Sequence, residues 1–242
     1  MRTNLSFINV YSKKNVKSEV VTQLLYGETF KIIKKNKLWL KIKNDSDNYT
    51  GFIKKKKFYS KQKNTHKVFS LSAKLYSKPG VQIKKKISFG STIKVTEVKN
   101  NFCKFDNLWV KKKDLKKINY KTKNIFKNII KFKGIKYKWG GKHYTGVDCS
   151  GLVQLFLNFN NKFCPRDAKD QIKYFKKKIK LRNIRKNDLI FWKGHVAIAL
   201  SKSKLIHSYG PFKSTVIMSI KKTIDRIYKT ANLKVIGVRK TS

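Results

Sequence analysis

The first half of the chain runs through one plan twice. "LYGETFKII" is matched by "SFGSTIKVT", and "KLWLKI" is matched by "NLWVKK". Each pass is an apolar residue, a glycine turn, a β-rich strand and a strand that carries a tryptophan. Around them, "VVTQLLYGETFKIIKK" ends in alternation near Phe30, Ile32 and Ile33, and "LWLKIK" alternates from Leu38 to Ile42. "YTGFIK" then follows the polar turn "NDSDN". A period of two, punctuated by Gly, Asn and Asp, is the pattern of short strands joined by tight turns. Its repetition predicts two small β-barrel modules of about sixty residues each, over 1–58 and 59–117.

From residue 118 the texture changes. "NIFKNIIKFKGI" places Ile125, Phe126, Ile129, Ile130 and Phe132 at helical spacing and ends near Gly134. "DCSGLVQLFLNFNN" carries Leu152, Leu155, Phe156 and Phe159 on a second helical face, and "DAKDQIKYFKKK" reads as a shorter helix. After them, "NDLIFW", "HVAIALS", "KLIHSYG" and "VIGVRK" are strand-like. Helices first and antiparallel strands after predict an α+β domain over 118–242.

The chemistry-bearing residues of that domain are few. Cys149 stands at the expected start of a helix, where exposed N–H groups favour a thiolate and lower its pKa. Gly146 and Gly151 leave room for a close approach. Cys103 and Cys164 read as small buried hydrophobes. A thiolate nucleophile needs a base, and there are four histidines. His66 falls in the linker between the β modules and His143 in a polar loop, both expected to face solvent. His195 opens the strand "HVAIAL" and His207 lies in the next, "LIHSYG", with a turn at "SKSK" between them. The two share a face in any register whose paired numbers sum to an even value, and a slip of one residue separates them. That geometry permits Cys149 as nucleophile, His195 as general base and His207 as the residue that orients it. Two His and a Cys without close spacing make a poor zinc site, so no metal is expected. No cofactor is expected either.

Composition bears on partners and compartment. The formal charge is +48, from 60 Lys and Arg against 12 Asp and Glu. Such a field binds nucleic acid or anionic lipid without specificity at low salt. The charge is nearly all Lys and is spread along the whole chain, and Asn and Ile are abundant too. Arg, the better phosphate clamp, occurs only at Arg2, Arg166, Arg182, Arg185, Arg226 and Arg239. The pattern favours compositional drift, so no specific nucleic-acid partner is expected. Three cysteines give no disulfide framework. "MRTNLSFINVYSKKN" lacks the apolar core of a signal peptide, and no window approaches a membrane span. A cytoplasmic, soluble chain is the expectation.

In order, "YKWGG…GVDCSGLVQ…PRDAKDQ…KNDLIFWKGHVAIAL…LIHSYG" resembles the NlpC/p60 family of cysteine peptidases. The resemblance implies a papain-like catalytic domain and action on peptidoglycan-derived peptides. The upstream half, with "TQLLYGETFKI" and "DNYTGFI", resembles the bacterial SH3 modules that precede this domain in one branch. That branch consists of γ-D-glutamyl-L-diamino acid endopeptidases, which require a free N-terminal L-Ala. By position, the resemblance implies Cys149 as nucleophile, His195 as base and His207 as third polar residue. It implies Tyr137 beside the nucleophile, helping to hold the oxyanion, and Asp148 and Ser150 gripping the substrate's free amine. Tyr49 of the first β module would close that end of the pocket, in a motif with Asn48 where the family has Gly. Arg166 would be structural. A carboxylate beside an attacking thiolate raises the thiol pKa, which makes sense if Asp148 turns away from Cys149 toward a substrate ammonium. The competing readings are an amidase or acyltransferase on the same Cys and His, and a non-catalytic basic module for wall polymer or nucleic acid.

Overall fold

The computed structural model describes residues 1–241. The first β module is a five-stranded sheet of β1 (Phe7–Tyr11), β2 (Val20–Leu25), β3 (Phe30–Lys35), β4 (Trp39–Asn44) and β5 (Thr50–Lys54), in the order β2-β1-β5-β4-β3. Leu40, Ile42 and Ile53 are buried while Lys41 and Lys43 between them are exposed, the alternation a half-buried strand requires. Asn48 takes the left-handed conformation, φ 60°, in the turn before β5, which Asn tolerates better than most residues.

The second β module carries β6 (His66–Val68), β7 (Ser72–Lys78), β8 (Val81–Ser88), β9 (Thr92–Ile93), β10 (Glu97–Lys99), β11 (Phe102–Phe105), β12 (Leu108–Lys111) and β13 (Leu115–Lys117). They form one sheet in the order β10-β11-β12-β7-β8 and another in the order β13-β6-β9. The repeated glycines adopt the same left-handed turn, with φ of 80° at Gly27 and 83° at Gly90. At Gly27 a Cβ would lie 1.8 Å from the Thr92 carbonyl oxygen. That turn of the first module is therefore packed backbone-close against the second. His66, expected in a solvent-facing linker, is instead half-buried in β6, which pairs with both β13 and β9.

The third unit places β16 (Lys178–Ile179), β17 (Leu189–Trp192), β18 (His195–Ala199), β19 (Lys204–Tyr209), β20 (Ser214–Ser219) and β21 (Gly237–Arg239) in one sheet, ordered β16-β21-β17-β18-β19-β20. Ahead of it stand the small hairpin of β14 (Lys142–His143) and β15 (Gly146–Val147), then α1 (Cys149–Phe159) and α2 (Ala168–Tyr174). α3 (Ile220–Ala231) sits between β20 and β21. Alternate residues of β17 and β18 go to different cores. Leu189, Phe191, Val196 and Ile198 join α1, whereas Ile190, Trp192, Ala197 and Ala199 join Ile220 and Ile227 of α3. Both faces of the central strands are thus covered, which is why "LIFW" is apolar without interruption. Among the described residues no helix is long and apolar enough to cross a membrane.

Two expectations for this unit are corrected. The helix expected over residues 125–132 is only a 3-10 turn, Ile129–Phe132, because Asn128 takes φ 68° and breaks the spiral. Ile125, Phe126, Ile129 and Phe132 are still buried, but Ile130 is exposed. His143 is not in a solvent-facing loop. It is 2% exposed, within 3.1 Å of Ser6 Oγ and 2.8 Å of Thr145 Oγ1.

The core under α1 takes Leu25 from the first module and Phe89 from the second. Buried cations tie the units further. Lys142 is paired with Glu28 at 3.1 Å, and Lys67 donates to the carbonyl of Phe159.

Candidate active site

α1 begins where the chain leaves the β14–β15 hairpin. Asp148 is its N-cap, with extended backbone and a side chain that accepts from the Gly151 N–H at 2.6 Å, the bond that satisfies a first-turn amide. Gly151 cannot carry a side chain, since its Cβ would lie 2.4 Å from the Gly141 carbonyl oxygen. Cys149 follows as the first helical residue, its thiol turned toward β18.

The β18–β19 register decides the rest. Ile198 pairs with Ile206 and Ala199 with Leu205. Continued to the head of the strands, this register sets His195 opposite Tyr209 and puts His207 on the same face. His195 Nε2 and His207 Nδ1 are 2.8 Å apart, and the His207 ring stacks on Tyr209 at 4.7 Å. His195 is therefore held through Nε2, leaving Nδ1 to act. The base role requires the tautomer in which His195 Nε2–H donates to His207. His207 Nε2 is buried without a hydrogen-bond partner.

Burial governs the protonation of this group. It pushes the Cys149 thiol up to about 12, Asp148 adding to the rise, while the backbone amides of Val196 and Ser150 and the charge of Arg166 oppose it. The lowered thiol pKa expected at a helix start is thus reversed, because desolvation outweighs the amides. Burial also pushes His195 down to about 4, with Asp148 pulling it back, and holds His207 far below the ordinary histidine range. The resting pair is a neutral thiol beside a neutral imidazole. Tyr137 joins them: its ring packs 3.6 Å from where a Gly210 Cβ would be. Burial and the charges of Cys149 and Asp148 hold its phenol above the ordinary range, hence protonated.

Asp148 does not face the cleft as a free carboxylate. Arg166 clamps it, with Nη2 2.5 Å from Oδ2 and Nη1 3.0 Å from Oδ1. The same Nη1 donates to Ser150 Oγ at 2.9 Å, and Nε donates to Thr22 Oγ1 of the first module at 2.9 Å. Asp148 and Ser150, expected to grip an amine, are thus already occupied, and the charge of Asp148 is offset by a buried guanidinium. The physical reason is that a buried carboxylate needs a partner whether or not substrate is present.

The unspent acids of the cleft are others. A cavity of about 350 Å³ opens over Cys149, walled by Glu19, Val21 and Tyr49 of the first module and by Trp139, Asp167 and Lys169 of the third unit. Trp139 Nε1 donates to Glu19 Oε1 at 2.6 Å, and the Tyr49 hydroxyl donates to Asp167 Oδ2 at 3.1 Å. Burial raises the pKa of Asp167, opposed by Arg166 and Tyr49. Glu19, Trp139 and Asp167 were missed from the sequence. With 12 acids against 60 bases, the scarcity of acids was a signal that each had a task. Among the described residues no three His, Cys, Asp or Glu side chains converge as a metal site would require.

Comparison with known proteins matches two parts of the chain. A model described as NlpC/P60 family matches residues 134–232, and one described as bacterial SH3 domain matches residues 6–57. Dipeptidyl-peptidase 6 of Lysinibacillus sphaericus is 33% identical over 85 residues, 35% of this chain and 31% of that protein. The murein DD-endopeptidase MepS/murein LD-carboxypeptidase of Escherichia coli K12 is 31% identical over 85 residues, 32% of this chain and 44% of that protein. The chain thus spans less than half the length of either relative. An NlpC/P60 family protein from Bacillus cereus ATCC 10987 shares the fold, with a TM-score of 0.83 over 99% of this chain and 98% of that one, at 17% identity.

Proposed function

We propose that this chain is a cysteine peptidase of peptidoglycan-derived peptides, on the premise that residues 134–232 match the NlpC/P60 family and residues 6–57 ahead of them a bacterial SH3 domain. The observation that carries this is the His195–His207 bond of 2.8 Å at the head of β18 and β19, beside the thiol that opens α1. His195 Nδ1 takes the Cys149 proton as the sulfur attacks the scissile carbonyl. The Tyr137 hydroxyl donates to the oxygen that becomes anionic. The C–N bond breaks, the leaving amine takes the proton from His195, and a thioester remains. Water, deprotonated by His195, then releases the acid and restores the thiol.

The bond we assign is that between γ-D-Glu and a diamino acid, in a peptide whose N-terminal L-Ala is free. Glu19, Val21 and Tyr49 of the first module line the cleft, and we read them as closing it to a continuous strand, so that it takes a chain terminus. Glu19 and Asp167 stand there as acids without a basic partner within ion-pair distance, matched to an ammonium. Asp148 and Ser150 act behind them, through Arg166. The first β module is then a wall of the pocket. We further divide the chain at 1–58, 59–117 and 118–242 and read the second β module as SH3-like, on the shared glycine turn and the paired Trp39 and Trp109.

The test is mass spectrometry of products from L-Ala-γ-D-Glu-diaminopimelate. Wild type releases L-Ala-γ-D-Glu, and Cys149→Ala loses at least about 10³-fold of that rate with an unchanged fold by circular dichroism. An N-acetylated substrate is cut about 10–100-fold more slowly, since it leaves the acids unpaired. Undiminished hydrolysis by Cys149→Ala refutes the assignment.

A further inference from the structure

Five charged side chains line the cleft, and four are accounted for. Arg166 is 2% exposed and spends its guanidinium on Asp148, Ser150 and Thr22. Glu19 is held by Trp139 and Asp167 by Tyr49. The fifth, Lys169, lies in the first turn of α2, is exposed, and lines the same cavity as Cys149. Among the described residues it donates no hydrogen bond and makes no ion pair within 4.0 Å. Asp167, the extended N-cap of α2 two residues earlier, feels the charge of Lys169 but is not within ion-pair distance of it. Of the two cations that line the cleft, Lys169 is therefore the one that no hydrogen bond or ion pair holds among the described residues.

A peptide joined through a γ-carboxyl keeps its α-carboxylate free, close to the carbonyl under attack. That anion approaches a sulfur that must itself become negative. A cleft with two acids that lack an ion-pair partner and no available cation would repel it on both counts. We propose that Lys169 is a specificity-determining residue, pairing with the free α-carboxylate of the γ-linked glutamyl residue on the acyl side of the cleaved bond. The cleft is then dipolar: Glu19 and Asp167 take the terminal ammonium and Lys169 the internal carboxylate. The substrate class is a γ-glutamyl peptide whose α-carboxyl is ionised, in preference to one whose α-carboxyl is amidated. This rests on the peptidase reading above.

Two substrates that differ only at that group separate the two ideas. One is L-Ala-γ-D-Glu-diaminopimelate and the other is the same peptide with D-isoglutamine in place of D-Glu. For the full chain, kcat/KM should favour the carboxylate by about tenfold or more, the scale of one charge-assisted hydrogen bond. That ratio should shrink as NaCl is raised. Lys169→Met should bring the ratio close to one, and Lys169→Arg should retain most of it. Lys169 is exposed and unpaired, so both variants fold. A wild-type ratio near one, or a ratio unmoved in Lys169→Met, overturns the role of Lys169 while leaving the peptidase reading intact. Failure to cut either peptide overturns the peptidase reading itself.

Discussion

The first turn of α1 meets the first β module through Arg166, which joins Asp148 and Ser150 to Thr22. The last turn meets the second module through Lys67, which donates to the Phe159 carbonyl and, at 3.1 Å, to Asn161 Oδ1. Phe89 of the second module also stacks on Phe159 at 4.7 Å. The two modules share a plan but differ in what they touch. The first sends Glu19, Val21 and Tyr49 into the cleft, and no residue of the second lines it. The near end is polar because a reacting thiol needs fixed charges beside it. The far end is packed because it only has to hold the helix still, and a lysine there also suits the negative pole of the helix dipole. The first module is thus a wall of the pocket and the second a buttress of the helix behind it.

The largest effect expected of any single change lies at the near end. Arg166→Met leaves a buried carboxylate unpaired beside Cys149, and breaking such a pair costs about 3–5 kcal/mol. Urea unfolding should show that loss, and adding Asp148→Asn should restore much of it. A second readout separates electrostatics from folding. Arg166 lowers the thiol pKa and Asp148 raises it, so the alkylation profile of Cys149 should move to higher pH in Arg166→Met. A profile that stays in place would mean that Arg166 acts on structure alone.

At the far end the pattern should invert. Lys67→Met keeps the buried stem but leaves the Phe159 carbonyl without its donor, a loss of about 1–3 kcal/mol. Thermal or urea unfolding measures it. Turnover of the free-amine substrate at 25 °C should stay within about twofold of wild type, because the helix is still seated by Phe89 and the apolar core. If turnover fell more steeply than stability, the second module would be part of the catalytic apparatus and the contrast between the modules would fail.

These two lysine and arginine contacts also mark where the sequence stops being readable. α1 was legible because Leu152, Leu155, Phe156 and Phe159 recur at helical spacing behind a capping Asp. The His195–His207 contact was legible because two odd-numbered positions around a short turn share a face in an even register, and Ile198 opposite Ile206 supplies that register. The β modules were legible from the repeated glycine, whose left-handed φ at Gly27 and Gly90 leaves few other residues possible. The partner of Asp148 was not legible. Arg166 lies 18 positions on and Thr22 lies 144 positions from Arg166, and periodicity carries no information at such separations. Lys67 and Lys142, each no more than 2% exposed, look in sequence like the dozens of lysines in solvent. α3 was not expected, although its buried stripe of Ile220, Thr223 and Ile227 has spacings of three and four. The converse error, a helix over residues 125–132, came from apolar spacing that an Asn in the left-handed region interrupts.

The smallest effect expected, and the sharpest for the comparison, concerns Tyr49, the one hydroxyl that the first module extends to an acid of the cleft. Burial and the charge of Asp167 hold its phenol above the ordinary range, so it is protonated and donates to Asp167 Oδ2. Tyr49→Phe removes that donor and leaves the ring. Asp167 then has one hydrogen bond fewer to hold it in the orientation that meets an ammonium. The expected loss in kcat/KM on the free-amine peptide is about tenfold, carried mainly by KM, because the hydroxyl serves binding and not bond cleavage. Stability should change by less than about 0.5 kcal/mol, since the ring keeps its packing and the site stays open to water. The blocked peptide has no ammonium to lose, so its rate should hardly move and the preference for a free amine should narrow. Equal loss on both peptides would instead place Tyr49 with the scaffold, and the first module would then differ from the second only in where it is attached.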